Sequence, residues 1–256
     1  GGVASLKQSS AFFLRSSLSF NSAKTSGGAV DASDNSLLEM HDSIVNSNVV
    51  SGVFSKGGAV SLSSASWANI RNTIFDGNQA LGQGSAGGCL HAQDTGPEED
   101  KVVSVGGGSM INNRVPFGSG GALSCELCFA SFDGFTLKSN TAGLQGGHIS
   151  ASSLSSVIIT NTSAQNGVAG LGGGCIFSNA ARVTMQVSDH IFHCGSTFGL
   201  AHLGSHIAPI SWSSICDSDY CLASTKRCAG NTYSRSHTVG CYRASPGYFA
   251  VGGEVT

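Results

Sequence analysis

The chain has 256 residues, of which 36 are glycine, 40% are hydrophobic and 11% are charged. That hydrophobic share excludes a disordered chain, and the length allows one large domain with or without a small appendage. The formal net charge of −2 provides no field for nucleic acid, and no apolar run reaches the roughly 20 residues of a membrane-spanning helix. Many glycines without a collagen triplet favour an all-β fold rich in turns.

A Gly-Gly pair, followed by a small and then an aliphatic residue, recurs from the first residue onward. Copies begin at Gly1, Gly27, Gly57, Gly87, Gly120, Gly146 and Gly173, with a degenerate copy at Gly204. Successive copies start 26 to 33 residues apart. A coil of this length holds a few short strands and their turns, but it cannot enclose its apolar side chains alone. We therefore predict stacked coils.

An asparagine recurs in phase with the Gly-Gly pair, 20 to 26 residues after it. Identical asparagines on stacked coils can hydrogen-bond to one another, so we predict a structural ladder. Its predicted members are Asn21, Asn48, Asn78, Asn113, Asn140 and Asn166.

Two columns of apolar residues keep the same phase, and we predict that they form the core. The first lies eight positions before the ladder and comprises Phe13, Met40, Ile70, Val105, Phe132, Ile158 and Val187. The second is the aliphatic residue of the Gly-Gly motif: Val30, Val60, Leu90, Leu123, Ile149, Ile176 and Ile207.

These patterns predict an all-β fold, a right-handed parallel β-helix of about seven coils over residues 1–209. Strands of adjacent coils would lie about 4.8 Å apart. A helical solenoid is the competing interpretation, but no segment of ten residues has an amphipathic helical pattern.

The two motifs resemble the repeats of the polymorphic outer membrane protein family of chlamydiae, which carry GGA before an aliphatic residue and also Phe-x-x-Asn. The resemblance covers residues 1 to about 209 and implies a surface-displayed β-helix with an adhesive role. The sequence departs from the family where Cys89, His148 and Cys175 replace the alanine, and only Phe75 keeps the phenylalanine of the second motif.

Residues 210–256 lack the repeat and contain Cys216, Cys221, Cys228 and Cys241, which we predict as disulfide candidates. The run from Cys228 to Phe249 resembles the cysteine-rich modules of ephrin receptors. Such modules usually have a cysteine where this chain has Ser245, so their pairing cannot be transferred, and all three pairings stay open. We expect an incomplete disulfide-rich module, and we expect the chain to be a processed or partial polypeptide.

Other cysteines and histidines suggest sites within the coils. Cys125 and Cys128 have the spacing of a redox or zinc pair, but a structural disulfide across a turn is favoured. Cys89 and Cys175 would lie about 14 Å apart, too far for a disulfide. Nine cysteines leave at least one unpaired or bonded elsewhere.

A metal could bind where a histidine or cysteine stands at one position on successive coils. His148, Cys175 and His206 have this arrangement, but Ala29, Ala59 and Ala122 hold the same position, which favours tight packing. The cluster of Asp189, His190, His193 and Cys194 is interpreted as a loop between coils, and Glu98-Glu99-Asp100 as a solvated loop. We predict no metal, cofactor or catalytic residue.

A polysaccharide lyase or hydrolase is the alternative function, since such enzymes need converging carboxylates. Asp31 is followed in the stack by Ser61, and Asp42 by Asn72, so no two acids gather. We expect a non-enzymatic structural or adhesive segment of a large secreted or cell-surface protein. The cysteine content and the glycosylation triplet at Asn161 fit that location. Expected partners are other chains, further repeats stacked end-on, and glycans.

Overall fold

A computed structural model describes residues 1–95, 102–186, 190–192 and 194–196, and short strands between residues 207 and 255. Side chains are described for residues 1–95, 102–184 and 194. Every helix or strand in the described part of the chain is a β-strand. The described residues include no helix long and apolar enough to cross a membrane.

The strands form three parallel sheets that run the length of a solenoid. Sheet A comprises Ala4–Lys7, Val30–Ser33, Val60–Ser63, Leu90–Gln93, Leu123–Glu126, Ile149–Ser152, Ile176–Asn179 and Ile207–Ile210. Sheet C comprises Ser22–Ala23, Val49–Val50, Gln79–Ala80, Arg114–Val115, Thr141–Ala142, Val168–Ala169 and Gly195–Ser196.

Sheet B lies between them in chain order and bends partway along each coil. Its first column comprises Ser10–Leu14, Leu37–His41, Trp67–Asp76, Val103–Ile111, Phe129–Asp133, Ser156–Thr160, Arg182–Gln186 and Ser214–Cys216. Its second column comprises Ser17–Ser19, Ile44–Asn46, Thr136–Lys138, Ser163–Gln165 and His190–Phe192, with the ends of the two longest strands between them. The pairing from coil to coil is parallel and in register, which confirms the predicted β-helix.

The Gly-Gly pair forms the corner before each strand of sheet A, and its two glycines are needed for different reasons. The first glycine has a positive φ in every described copy from Gly27 to Gly173, between +55° and +74°. The second glycine approaches the next coil. A Cβ on Gly58 would lie 2.0 Å from the carbonyl oxygen of Gly88, and one on Gly121 would lie 2.2 Å from that of Gly147. No other residue fits both positions.

Most of the predicted core columns are buried. Val30, Val60, Leu90, Leu123 and Ile149 are fully buried, and Ile176 is 1% exposed. The other column is correct through Phe132, but Ile159 takes the next place, because it pairs with Phe132 and is 3% exposed whereas Ile158 is 40% exposed. The predicted register is therefore one residue off in this coil.

The C-terminal boundary also differs from the expected one. Parallel pairing continues through Ile207–Ile210 in sheet A and Ser214–Cys216 in sheet B, beyond residue 209. An antiparallel strand, Cys221–Ala223, then pairs with Ser214–Cys216 and places Cys221 opposite Cys216. The last strands, Thr232–Tyr233 with Tyr242–Arg243 and Ala250–Val251 with Glu254–Val255, are antiparallel hairpin partners. Cys228 and Cys241 lie outside the described residues.

Candidate functional site at the end of the asparagine ladder

Asparagine side chains form a continuous hydrogen-bonded ladder through the first coils. From Asn48 to Asn140, the Oδ1 atom of each member accepts both the backbone N–H and the side-chain Nδ2–H of the asparagine on the preceding coil, at 2.9–3.0 Å. From Asn48 onward, each Nδ2 also donates to a backbone carbonyl of the preceding coil, as Asn78 does to Val45 at 2.9 Å. Five of the predicted members are confirmed: Asn21, Asn48, Asn78, Asn113 and Asn140.

The sixth predicted member, Asn166, is wrong by one residue. Thr141 pairs with Val168, so the residue that follows Asn140 in the stack is Gly167. Asn166 is exposed in the turn before it, with φ +54°, the same turn position that Asn112 occupies ahead of Asn113. Asparagine adopts this left-handed conformation more readily than most residues, which accounts for Asn166 in the turn.

A signal in the sequence identifies the correct register. Two positions after each ladder residue stands a small apolar residue that pairs within sheet C. This column comprises Ala23, Val50, Ala80, Val115, Ala142 and Ala169. Counting back two positions from Ala169 reaches Gly167, and the same spacing links Ser196 to Cys194.

The ladder position faces the residue that follows the Gly-Gly pair of the same coil. In the coils of Asn48, Asn78, Asn113 and Asn140, that residue is small: Ala29, Ala59, Cys89 and Ala122. In the next coil the sizes are exchanged, with His148 opposite Gly167. A Cβ on Gly167 would lie 2.8 Å from ring atoms of His148, so the imidazole occupies the space that an asparagine side chain would need.

His148 also replaces the missing ladder member chemically. Asn140 Nδ2 lies 2.9 Å from His148 Nδ1. The orientation of the Asn140 amide is fixed, because its Oδ1 accepts a backbone N–H from Asn113 and its Nδ2 donates to the backbone carbonyl of Met110. His148 Nδ1 must therefore accept, and the ring proton resides on Nε2.

The following coil closes with a disulfide in place of the alanine and asparagine. Cys175 and Cys194 are bonded, with their Cα atoms 5.3 Å apart. The prediction that Cys194 lies in a loop cluster is wrong, because the misplaced register of Asn166 carries into this coil. Val168 pairs with Gly195, so Cys194 follows Gly167 in the ladder column.

His148, Cys175 and Cys194 thus form a buried cluster at the end of the ladder. A ring nitrogen of His148 and the two sulfur atoms all lie within 4.8 Å of one another. His148 and Cys175 are fully buried, and Cys194 is 2% exposed. His148 Nε2 has no hydrogen-bond partner among the described residues. Among those residues, no other group of at least three His, Cys, Asp or Glu side chains lies this close together.

This cluster has the donor set of a thiolate and imidazole metal centre, provided the disulfide is reduced. Ligation through Nε2 would require its proton to move to Nδ1, which would cost the Asn140 hydrogen bond. It would also place Nδ1–H against the Nδ2–H of Asn140, so that two buried donors would lose their hydrogen bond at a cost of about 1–3 kcal/mol each.

Burial keeps the imidazole neutral. Desolvation lowers the pKa of His148 from 6.5 to about 3, and the backbone carbonyl of Gln165 opposes this shift to a smaller extent. A second buried histidine, His91, also has a pKa of about 3, because of burial first and the charge of Lys56 second. Both imidazoles are therefore uncharged near neutral pH.

The remaining predicted cysteine sites have definite positions. Cys125 and Cys128 form the predicted disulfide across a turn, with Cα atoms 5.5 Å apart. Cys89 is buried and forms no disulfide with the cysteines whose side chains are described, and desolvation raises the pKa of its thiol. His206, Asp189, His193 and the Glu98-Glu99-Asp100 segment lie outside the described residues, and of His190 only the backbone is described.

The aspartates on the outer surface of sheet B are paired with amides. Three of them accept a hydrogen bond from an asparagine on the next coil, at 3.0–3.2 Å: Asp42 from Asn72, Asp76 from Asn112, and Asp133 from Asn161. Asp31 pairs in register with Ser61, as the repeat spacing predicts. The glycosylation candidate Asn161 is exposed at a turn.

Comparison with protein-family models, curated proteins and solved structures gave no match.

Proposed function

We propose that this chain is a non-enzymatic structural or adhesive segment of a large secreted or cell-surface protein, acting as a rigid β-helical scaffold. One observation carries the proposal: the interior is continuous from coil to coil. The apolar columns and the asparagine ladder run through successive coils, and the ladder ends in the His148 hydrogen bond. Because each coil of a solenoid contacts only its neighbours, these interactions along the axis are what would hold the coils in one stack.

The location is supported by the cysteines. Two disulfides occur among the described residues, Cys125–Cys128 and Cys175–Cys194. Disulfides are common in secreted and surface proteins and rare in the cytosol. The exposed Asn161 turn would carry a glycan on the outside of the solenoid, away from the core.

Exposed apolar side chains at one corner of three coils support a role in contacts with partners. Phe54 is 71% exposed, Phe117 is 55% exposed and Leu144 is 41% exposed. Backbone hydrogen bonds link the turns of Phe54 and Phe117 through the coil between them. Phe54 N–H donates to the carbonyl of Gln83, and Gly84 N–H donates to the carbonyl of Phe117. Other chains or further repeats of the same protein are the proposed partners.

The test is native-state hydrogen exchange on the purified chain, together with a polysaccharide assay. We expect the ladder amides of Asn48, Asn78 and Asn113 to exchange slowly, since each backbone N–H donates to a buried Oδ1 on the next coil. We also expect no release of reducing or unsaturated ends from polygalacturonate, alginate or hyaluronan.

Two results would contradict the scaffold. The first is turnover of any of these polysaccharides by the wild type that is lost in Asp133→Asn, which removes one of the paired surface acids. That result would establish the carbohydrate-active alternative. Fast and independent exchange of the ladder amides would show that the interior is not a continuous rigid element.

A further inference from the structure

We propose that His148, Cys175 and Cys194 bind one Zn²⁺ ion once the Cys175–Cys194 disulfide has been reduced. The site would stand at the end of the asparagine ladder, within the last two coils for which side chains are described. It is separate from the scaffold role, which does not require a metal.

The chemistry of the donor atoms selects the ion. Two thiolates and one imidazole are ligands that zinc prefers, whereas calcium and magnesium prefer oxygen donors, and the cluster has none. Tetrahedral bonds of about 2.1–2.3 Å place donor atoms on one zinc ion roughly 3.5–3.8 Å apart. The donor atoms lie within 4.8 Å of one another. After reduction the two sulfur atoms, which are bonded to each other here, must therefore separate to about 3.8 Å, while the imidazole nitrogen needs to move by about 1 Å at most.

An independent observation points to the same ligand. His148 Nε2 is fully buried and makes no hydrogen bond of normal geometry to the described residues, although Nδ1 is paired with Asn140. The backbone carbonyl of Gln165 raises the pKa of the ring but does not complete a hydrogen bond to Nε2. A buried polar atom without a protein partner requires an explanation, and a bound ion is one of the common ones. Zinc would supply the missing partner of Nε2.

The reaction balances in two steps. A dithiol reductant cleaves the Cys175–Cys194 bond, giving two thiols, while the reductant becomes a cyclic disulfide. Zn²⁺ then replaces the two thiol protons, which are released, and the proton on His148 Nε2 is exchanged for one on Nδ1. The hydrogen bond between Asn140 and His148 is lost in this step.

The test uses Co²⁺ as a spectroscopic probe for the zinc site. The purified chain is reduced anaerobically with a dithiol, freed of excess reagent and titrated with Co²⁺, and Zn²⁺ is then added. We expect cobalt–thiolate charge-transfer absorption that saturates at one ion per chain and disappears when Zn²⁺ displaces the cobalt. Calorimetric titration with Zn²⁺ in two buffers of different ionisation enthalpy should also show one zinc ion bound per chain, with release of protons.

Three variants locate the site. Cys175→Ser with Cys194→Ser should abolish the absorption, whereas Cys125→Ser with Cys128→Ser, which removes a cysteine pair without a neighbouring histidine, should leave it unchanged. His148→Asn keeps an amide to accept from Asn140 but removes the imidazole, and we expect it to weaken Zn²⁺ binding at least tenfold.

Several outcomes would overturn the proposal: no cobalt–thiolate absorption in the reduced chain, binding that survives the Cys175 and Cys194 substitutions, or unchanged affinity in His148→Asn. If reduction alone unfolds the chain, circular dichroism measures whether Zn²⁺ restores the fold. Recovery of the β signal on adding Zn²⁺ supports the site, and failure to recover it counts against the site.

Discussion

At the scale of single residues, the positions of the large and the small side chain are reversed in one coil. His148 stands where the preceding coils have alanine or cysteine, and Gly167 stands where they have the ladder asparagine. In the four preceding coils a small residue faces a ladder asparagine, but here the larger side chain lies on the opposite strand and fills the same space. The interior of a protein is packed too densely for both side chains to be large. The imidazole of His148 therefore leaves room only for a glycine at position 167.

This exchange predicts that Gly167→Ala destabilises the chain. The new Cβ would lie 2.3 Å from the carbonyl oxygen of Gly174 and 2.8 Å from the His148 ring, and neither neighbour can move freely. Overpacking of this kind costs about 1–3 kcal/mol. Urea unfolding monitored by circular dichroism measures the loss.

Gly106→Ala is the matched control for this substitution. A Cβ at Gly106 would meet nothing closer than an Asp133 oxygen at 3.9 Å, so we expect its midpoint to stay close to that of the wild type. Equal midpoints for the Gly167 and Gly106 variants would show that the imidazole does not occupy the ladder position.

At the scale of elements, the ladder is a polar column inside an apolar core. It remains stable because each buried donor and acceptor is satisfied by the neighbouring coil. Asn113 Oδ1 accepts both donors of Asn78, and Asn113 Nδ2 donates to the carbonyl of Phe75. Removing one member leaves unpaired groups on the coil before it.

We therefore expect Asn113→Ala to be strongly destabilising. It would strand the backbone N–H and one Nδ2–H of Asn78 and the carbonyl of Phe75, and each buried unsatisfied group costs about 1–3 kcal/mol. Chemical denaturation should show a loss of at least about 3 kcal/mol relative to wild type.

The neighbouring Asn112 provides the control for that experiment. It is exposed, has φ +55°, and makes one surface hydrogen bond to Asp76. Asn112→Gly suits this backbone and should change stability little. If both variants lose the same stability, the ladder contributes no more than a surface turn.

The register of these elements was largely predictable, because Gly-Gly and asparagine each mark one backbone position per coil. The prediction failed at Asn166, where a turn asparagine stands one residue before a glycine in the ladder position. Sequence periodicity reports which residues form a column, but not which columns face each other across the interior. The pairs His148 with Gly167 and Cys175 with Cys194 depend on that second fact, so the candidate site was missed.

At the scale of the whole molecule, two buried histidines couple folding to pH. His91 and His148 lie on different coils and are held uncharged, each with a pKa of about 3 against an ordinary 6.5. Between these two pKa values the unfolded chain binds more protons than the folded chain. The stability they contribute is complete above pH 6.5 and is lost as the pH falls toward 3.

Acidification from pH 6 to pH 5 should therefore destabilise the chain by about 1 kcal/mol for each of the two histidines. His148→Asn removes one of these contributions and keeps the acceptor for Asn140, so its loss over the same interval should be about half that of the wild type. Guanidinium unfolding at the two pH values gives both numbers, and most carboxylates stay ionised in this range. Equal pH dependence in the two proteins would mean that the imidazole at the end of the ladder is accessible to protons in the folded state.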